Sequence, residues 1–282
     1  MLYLNEFHFT SRIDEEKEME EVMETNFYPF RLLSKRDFFH ISFEPITILY
    51  GGNGSGKTTA LNVIAEAMRL RRETPYNRGM FFDRYVRHCR YEAKKIPAAS
   101  AIITSDDVFD YMLNLRKINE RVDERREELA EEYASKLKPF RLRSMKDYEE
   151  FKIRHEARTG SMNQYIRRRL SENVRTQSNG ESALFYFSSK IRNDALYLLD
   201  EPENSLSPAR QIDLAKFLEE SARFFNCQFV MATHSPFLLA IRGAKIYDLD
   251  ADPVSAKTWT QLPNIRAYYD FFRTHADEFA SR

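Results

Sequence analysis

Residues 2–9 (LYLNEFHF) alternate apolar and polar side chains, the period of a strand with one buried face. An acidic run, Asp14–Glu24, follows and predicts a short exposed helix or loop. FFHISF and ITILYG predict two more strands, the second running straight into a glycine-rich turn. In KTTALNVIAEAMRL, Ala60, Leu61, Ile64, Ala65 and Met68 share one face of a helix. Small and branched residues over Ala99–Ser105 predict another strand. From Asp106 to Leu137 the chain has no Gly or Pro. It places Val108, Tyr111, Leu115, Ile118, Val122 and Leu129 at steps of three, four or seven, a long amphipathic helix whose seam blurs beyond Leu129. Lys138-Pro139 ends it, and two shorter helical patterns follow, split by Gly160. Past Asn173 the texture changes again. GESALFYFSSKI predicts a helix, ALYLLDEP a buried strand ending in acids, and PARQIDLAKFLEESARFF a helix with Pro in its first turn. CQFVMATHSP and AKIYDLD predict two last strands. The expected architecture is an α/β core, residues 1–105 and 174–282, interrupted by a helical insertion over 106–173.

Composition changes this picture little. The 282 residues are 43% hydrophobic, enough for a large core, and 43 Lys and Arg balance 43 Asp and Glu, so no global charge selects nucleic acid or membrane. Cys89 and Cys227 give neither a disulfide framework nor zinc spacing, and nothing nearby completes a site with His88. The N-terminus lacks a basic region followed by an apolar run, and no apolar stretch nears the ~20 residues of a membrane span. A cytoplasmic chain with no membrane partner is expected. Charge does cluster locally: nine basic against three acidic residues over Arg69–Lys95, and twelve against five over Lys136–Arg175, including Arg167-Arg168-Arg169. Such clusters suit a phosphate backbone, or equally a solvated face balanced elsewhere. Tyr148, Phe151 and Tyr165 among them are expected to be core residues of the insertion rather than base-stacking platforms.

Four short stretches carry chemistry. Gly51-Gly52-Asn53-Gly54-Ser55-Gly56-Lys57-Thr58, followed by Thr59, matches G-x-x-x-x-G-K-[ST] between an apolar strand and an amphipathic helix. The glycines turn backbone N–H groups onto phosphate oxygens, and the helix points its N-terminus at the same anion. Lys57 would reach the β- and γ-phosphates and Thr58 would ligate Mg²⁺. Second, the strand at 196–199 delivers Asp200 and Glu201 to its carboxyl end; Asp200 suits a metal contact and Glu201 a base for an attacking water. Third, Ser178-Asn179-Gly180-Glu181-Ser182 reads as a capping box, Ser178 with Glu181, and also as a helix start able to sense phosphate. Fourth, His234 ends a buried strand before Ser235-Pro236, at a distance after the acids that suits a γ-phosphate contact.

These pieces, in this order, resemble the ATP-binding-cassette (ABC) superfamily of ATPases, in particular the soluble branch with RecF, SMC and related AAA-type ATPases, some serving DNA repair or anti-phage systems. The resemblance covers residues 1–105 and 174–250 and implies a P-loop NTPase fold of ABC type: a mixed sheet flanked by helices, with a helical lid or arm inserted. By resemblance Gly51–Thr58 is Walker A, Asp200 and Glu201 are the Walker B aspartate and catalytic glutamate, and His234 is the switch histidine. Asn204, Ser205 and Leu206 lie in the D-loop, and Ser178–Ser182 is the signature motif in an S-x-G-E-S form. It further implies ATP and Mg²⁺ as cofactors, and an ATP-dependent homodimer in which one copy's signature covers the phosphate held by the other. One departure stands out. Where the family places a metal-contacting glutamine, this chain reads Ile103-Thr104-Ser105-Asp106-Asp107, so Asp106 or Asp107 substitutes or the contact is lost. Phe27, Tyr28, Phe30 and Arg31 either stack on the adenine or belong to the core.

Three roles fit: an ATPase acting on DNA or RNA, including genome or anti-phage defence; an ATPase switch on a co-encoded protein effector such as a toxin, nuclease or reverse transcriptase; and a transporter ATPase subunit. The variant signature, the absent glutamine and the long charged insertion weigh against the third.

Overall fold

A computed structural model describes residues 1–20, 26–137, 152, 161–167, 170 and 179–280. The chain forms two compact units, Met1–Phe109 with Asn179–Arg282, and Asp110–Ser178.

The first unit holds two sheets. One has three antiparallel strands, β1 (Leu4–His8), β2 (His40–Ser42) and β4 (Arg90–Ala93), in the order β2-β1-β4. The other has six: β3 (Ile46–Tyr50), β5 (Ala101–Thr104), β6 (Leu196–Asp200), β7 (Gln228–Ala232), β8 (Lys245–Asp248) and β9 (Ser255–Lys257), ordered β5-β6-β7-β3-β8-β9. All neighbours there are parallel except β8 with β9. The mixed sheet that the resemblance implied is therefore present. β3, β6 and β7 are buried along their whole length, which explains why their sequences run apolar without alternating. β1 is buried at Leu4 and Phe7, three apart, and its register with β4 shifts between Leu4 and Glu6.

Helix α1 spans Arg12–Glu20, α2 Lys57–Ala67 and α3 Phe82–His88. The expected exposed acidic segment is only partly exposed: Glu15 is buried, accepting from the Ser34 hydroxyl and from the backbone N–H of Arg31 at 3.2 Å. Val63, Leu61 and Ile64 of α2 pack into the core with Phe7, Phe82, Leu198 and Val230. Gln228, fully buried at the start of β7, joins the two sheets. Its carboxamide oxygen accepts from the N–H groups of Tyr3 (2.7 Å) and Leu4 (2.9 Å), and its nitrogen donates to the Leu4 carbonyl at 2.8 Å.

Helix α4 covers Ser105–Lys136, one residue from the expected span. Its predicted seam is buried at Val108 and Leu129 only; Tyr111, Leu115 and Val122 are half-buried and Ile118 is exposed. In the second unit Leu129, Tyr165 and Ile166 (α5, Met162–Arg167) form a small core, so Tyr165 is a packing residue there. The helix expected at 144–157, with Tyr148 and Phe151, falls outside the described residues apart from Lys152. The remaining helices of the first unit are α6 (Asn179–Lys190), α7 (Pro208–Phe224), α8 (Pro236–Leu239), α9 (Pro263–Thr274) and α10 (Ala276–Ala280). Proline opens α7 as expected. No helix among the described residues is long and apolar enough to cross a membrane.

Candidate active site

Three neighbouring strands, β6, β7 and β3, end on one edge of the parallel sheet, and each delivers chemistry there. β3 runs into the glycine loop and α2 begins at Lys57. Gly56 caps α2 with φ 97°, a left-handed conformation that L side chains rarely adopt, and a Cβ there would lie 2.9 Å from Leu33 Cδ2. The loop walls a cleft of about 390 Å³, lined by Tyr28, Leu32, residues from Asn53 to Thr59, and Glu201.

Thr58 donates its hydroxyl to Asp200 Oδ1 at 3.0 Å, which brings the loop and the acidic strand end together. Burial lifts Asp200 to about 6, against the hydrogen bond from Thr58; the charge of Glu201 adds to the rise. Lys57 is buried, and its ammonium donates to the carbonyls of Gly51 (2.6 Å) and Gly52 (3.1 Å). Burial lowers its pKa, while the carboxylates of Glu201 and Asp200 hold it up.

Glu201 follows β6 with φ 48° and donates its N–H to the Ala232 carbonyl at 2.9 Å. Asn204 Nδ2 donates to Glu201 Oε2 at 3.0 Å, and Glu201 Oε1 lies 4.0 Å from His234 Nε2. Glu203 fixes the loop after β7: its Oε1 accepts from the N–H groups of His234 (2.6 Å) and Ser235 (3.1 Å). The Ser235 hydroxyl donates to Gln211 Oε1 at 2.8 Å and caps α8. Ser205 has φ 69° and Leu206 is buried. Ser55 Oγ, Glu203 Oε2 and His234 Nε2 are buried with no hydrogen-bond partner among the described residues.

Ser178 lies outside the described residues, while Asn179 and Gly180 open α6. Glu181 accepts from Arg210 Nη2 at 3.0 Å. Among the described side chains, Glu181 is not one that lines the cleft of the glycine loop. At the position of the absent glutamine, Thr104 is the register partner of Asp200 across β5 and β6. Asp107 is buried and occupied locally, accepting from Thr104 N (2.7 Å), Thr104 Oγ1 (3.0 Å) and Thr74 N (3.0 Å). Asp106 is exposed.

The four aromatic-segment candidates separate. Phe30 is core, edge-on to Phe81 and Tyr85, and Phe27 packs on Phe81. Arg31 is exposed with φ 61°. Tyr28 lines the cleft, its hydroxyl 2.8 Å from Thr59 Oγ1. Sequence reasoning missed Leu32, Glu203 in its fixing role, and Asp250, whose carboxylate accepts from Gly52 N–H and at 3.0 Å from Arg36. The acidic end of YDLD was the only signal for Asp250.

Some of the other candidates are engaged locally. His88 Nε2 lies 2.8 Å from Glu18 Oε1, and burial raises the Cys89 thiol to about 12. In the Arg69–Lys95 cluster Arg78 pairs with Glu66 and Asp83, Arg84 with Glu18, and Arg72 stacks 4.2 Å from the Tyr76 ring centroid. Most of the Lys136–Arg175 cluster lies outside the described residues.

The glycine loop after a central parallel strand, with the acid-bearing strand one strand removed and tied back to it through Thr58 and Asp200, settles the architecture. The fold is that of a P-loop nucleotide-binding domain. In sequence, residues 125–240 match the family model described as "AAA domain, putative AbiEii toxin, Type IV TA system". No curated protein matches the chain. Solved structures similar to it include an SMC head domain with an extended coiled coil, bound to the C-terminal domain of ScpA, from Pyrococcus furiosus. It is 15% identical, with 96% of this chain and 100% of that one covered and a TM-score of 0.42. An SMC head domain from Thermotoga maritima is 12% identical, covering 91% and 98%, with a TM-score of 0.40. A nucleotide-free ATP-binding cassette from an ABC transporter is 15% identical, covering 88% and 87%, with a TM-score of 0.42.

Proposed function

We propose that this chain binds Mg-ATP on the Gly51–Thr59 loop and hydrolyses it, with residues 1–105 and 174–282 as the ATPase core and 106–173 as an inserted arm. The observation that supports it most is the 3.0 Å bond from Thr58 to Asp200 with Glu201 on the rim of the same cleft. Two acids and a hydroxyl at a phosphate-binding loop are a hydrolytic arrangement, not merely a binding one.

The loop's N–H groups and the start of α2 take the phosphates. Lys57 exchanges the Gly51 and Gly52 carbonyls for phosphate oxygens, a stronger charge-assisted bond. Thr58 Oγ1 and Asp200 are the residues to hold Mg²⁺. Their all-oxygen donor set suits a hard cation, and the burial of the Asp200 carboxylate outweighs what Lys57 and the Thr58 hydrogen bond offset. When bound, the ion supplies charge neutralisation on the β- and γ-oxygens. Glu201, steadied by Asn204, orients a water and takes its proton as the water oxygen bonds to the γ-phosphorus and the bond to the β-phosphate oxygen breaks. His234 Nε2, without a partner among the described residues and beside Glu201, donates to the γ-phosphate. Tyr28 and Leu32 wall the nucleoside end.

The site of one copy is completed by a second. Glu181, at the start of α6, is not among the described residues that wall the cleft. In a head-to-tail pair, Ser178–Glu181 of each copy close the other's cleft, so ATP joins the dimer and hydrolysis releases it. The test is phosphate release from Mg-ATP by the purified chain. Lys57→Ala is expected to abolish nucleotide binding and release alike, whereas activity unchanged in both Lys57→Ala and Glu201→Gln would end the proposal.

The work done by the cycle is read first as a DNA or RNA transaction in genome or anti-phage defence, on the Arg69–Lys95 and Lys136–Arg175 clusters. Stimulation of hydrolysis by DNA or RNA that fades with salt is expected. A second reading, a switch on a protein effector, is favoured by α9, where Tyr268, Tyr269, Phe271 and Phe272 are each more than half exposed. Hydrolysis indifferent to nucleic acid selects it.

A further inference from the structure

The outer face of the three-stranded sheet carries a cluster that the ATPase chemistry does not use. Glu6 and His8 are two apart on β1, so their side chains leave the same face, and His40 is the register partner of His8 on β2. The Glu6 carboxylate sits between the two imidazoles: Glu6 Oε2 lies 3.3 Å from His40 Nε2 and 3.8 Å from His8 Nε2. The rings are 4.6 Å apart between centroids, and all three donor atoms lie within 4.8 Å of one another.

We propose that Glu6, His8 and His40 bind a divalent transition-metal ion of the zinc class, with water completing the coordination. Bonds of 2.0–2.1 Å in a tetrahedral site place donors about 3.3 Å apart. One donor pair already has that spacing, and the others need to close by at most about 1.5 Å, within the reach of χ rotation for half-exposed side chains. Two imidazole nitrogens with one carboxylate select zinc, nickel, cobalt or copper over magnesium, so this site and the Thr58–Asp200 site take different ions. The antiparallel register holds the pair without help from the metal, because Phe7 and Ile41, the neighbours of His8 and His40, point into the core.

The position gives the ion a structural consequence. His8 and His40 bracket residues 9–39, the segment that brings Tyr28 and Leu32 to the cleft. A metal bridging β1 to the short edge strand β2 closes that loop and adds its binding free energy to the folded state.

The test is calorimetric titration of the metal-stripped full chain with Zn²⁺, and with Co²⁺ read by its visible absorption, in the presence of millimolar Mg²⁺. One equivalent is expected to bind, with a rise in Tm. His8→Ala and His40→Ala should each weaken binding by about tenfold or more and remove the Tm rise, while leaving the melting curve in chelator unchanged. His88→Ala serves as the control for other surface histidines and should bind as the parent does. Should either alanine variant melt early in chelator, Glu6→Gln, which keeps side-chain size, carries the same expectation. No Zn²⁺ binding by the parent, or binding with equal affinity in the variants at 6, 8 and 40, overturns the proposal.

Discussion

Glu201 occupies a left-handed backbone position at the end of β6, with one oxygen tied to Asn204 and the other facing His234. Replacing it by Gln keeps the shape and the Asn204 contact but removes the proposed base. Hydrolysis is expected to fall by about 10²–10⁴ with nucleotide affinity retained, measured by phosphate release and by equilibrium binding. Gly56→Ala forces a Cβ into φ 97° beside Leu33, at a cost of about 1–2 kcal/mol, and tilts the start of α2. A lowered thermal midpoint together with weakened nucleotide binding is the expected outcome. Glu15 bears on pH. Its burial raises the carboxyl above its ordinary value, against hydrogen bonds from Ser34 and Arg31, so the folded chain keeps that proton to higher pH than the unfolded chain. The stability it contributes is present below the unfolded value and is lost as pH rises through the folded one. Urea midpoints of the parent chain should therefore fall more between pH 4.5 and 7 than those of Glu15→Gln. At this scale the sequence was legible where chemistry demands residue types at fixed spacing. Gly51–Thr58 and Asp200-Glu201 are such cases. Glu203 and Asp250 were not legible in their roles, since their partners lie 31 and 198 positions away and only the fold brings them together.

The strands were the easier elements to read, because β3, β6 and β7 are wholly buried and run apolar between turn residues. Helix α4 was found to within a residue, yet its seam was not: periodicity reports a face, not what covers it, and Ile118 is exposed. The joint between the two sheets left no periodic signal at all. Gln228 looks like a polar residue at a strand end, but its carboxamide satisfies the N–H groups of Tyr3 and Leu4 at zero exposure. Gln228→Leu strands both donors in the core and is expected to cost about 3 kcal/mol, read as a shift in denaturation midpoint. A surface substitution such as Glu219→Gln on α7 should move it by less than about 0.5 kcal/mol.

For the whole molecule, the order of strands follows from the crossovers. The glycine loop, the acids and His234 meet on one edge because β3, β7 and β6 are adjacent in the sheet, although they are spread from residue 46 to residue 232. The second half of the site is what we propose a second copy supplies, since Glu181 is not among the described side chains that wall the cleft of Lys57 and Glu201. The central claim is that a second copy supplies it. Light scattering after size exclusion of the Glu201→Gln chain, run with Mg-ATP and again with Mg-ADP, tests this most directly. The account predicts twice the mass of one chain with ATP and a single chain with ADP; one chain in both, with ATP shown to be bound, would contradict it.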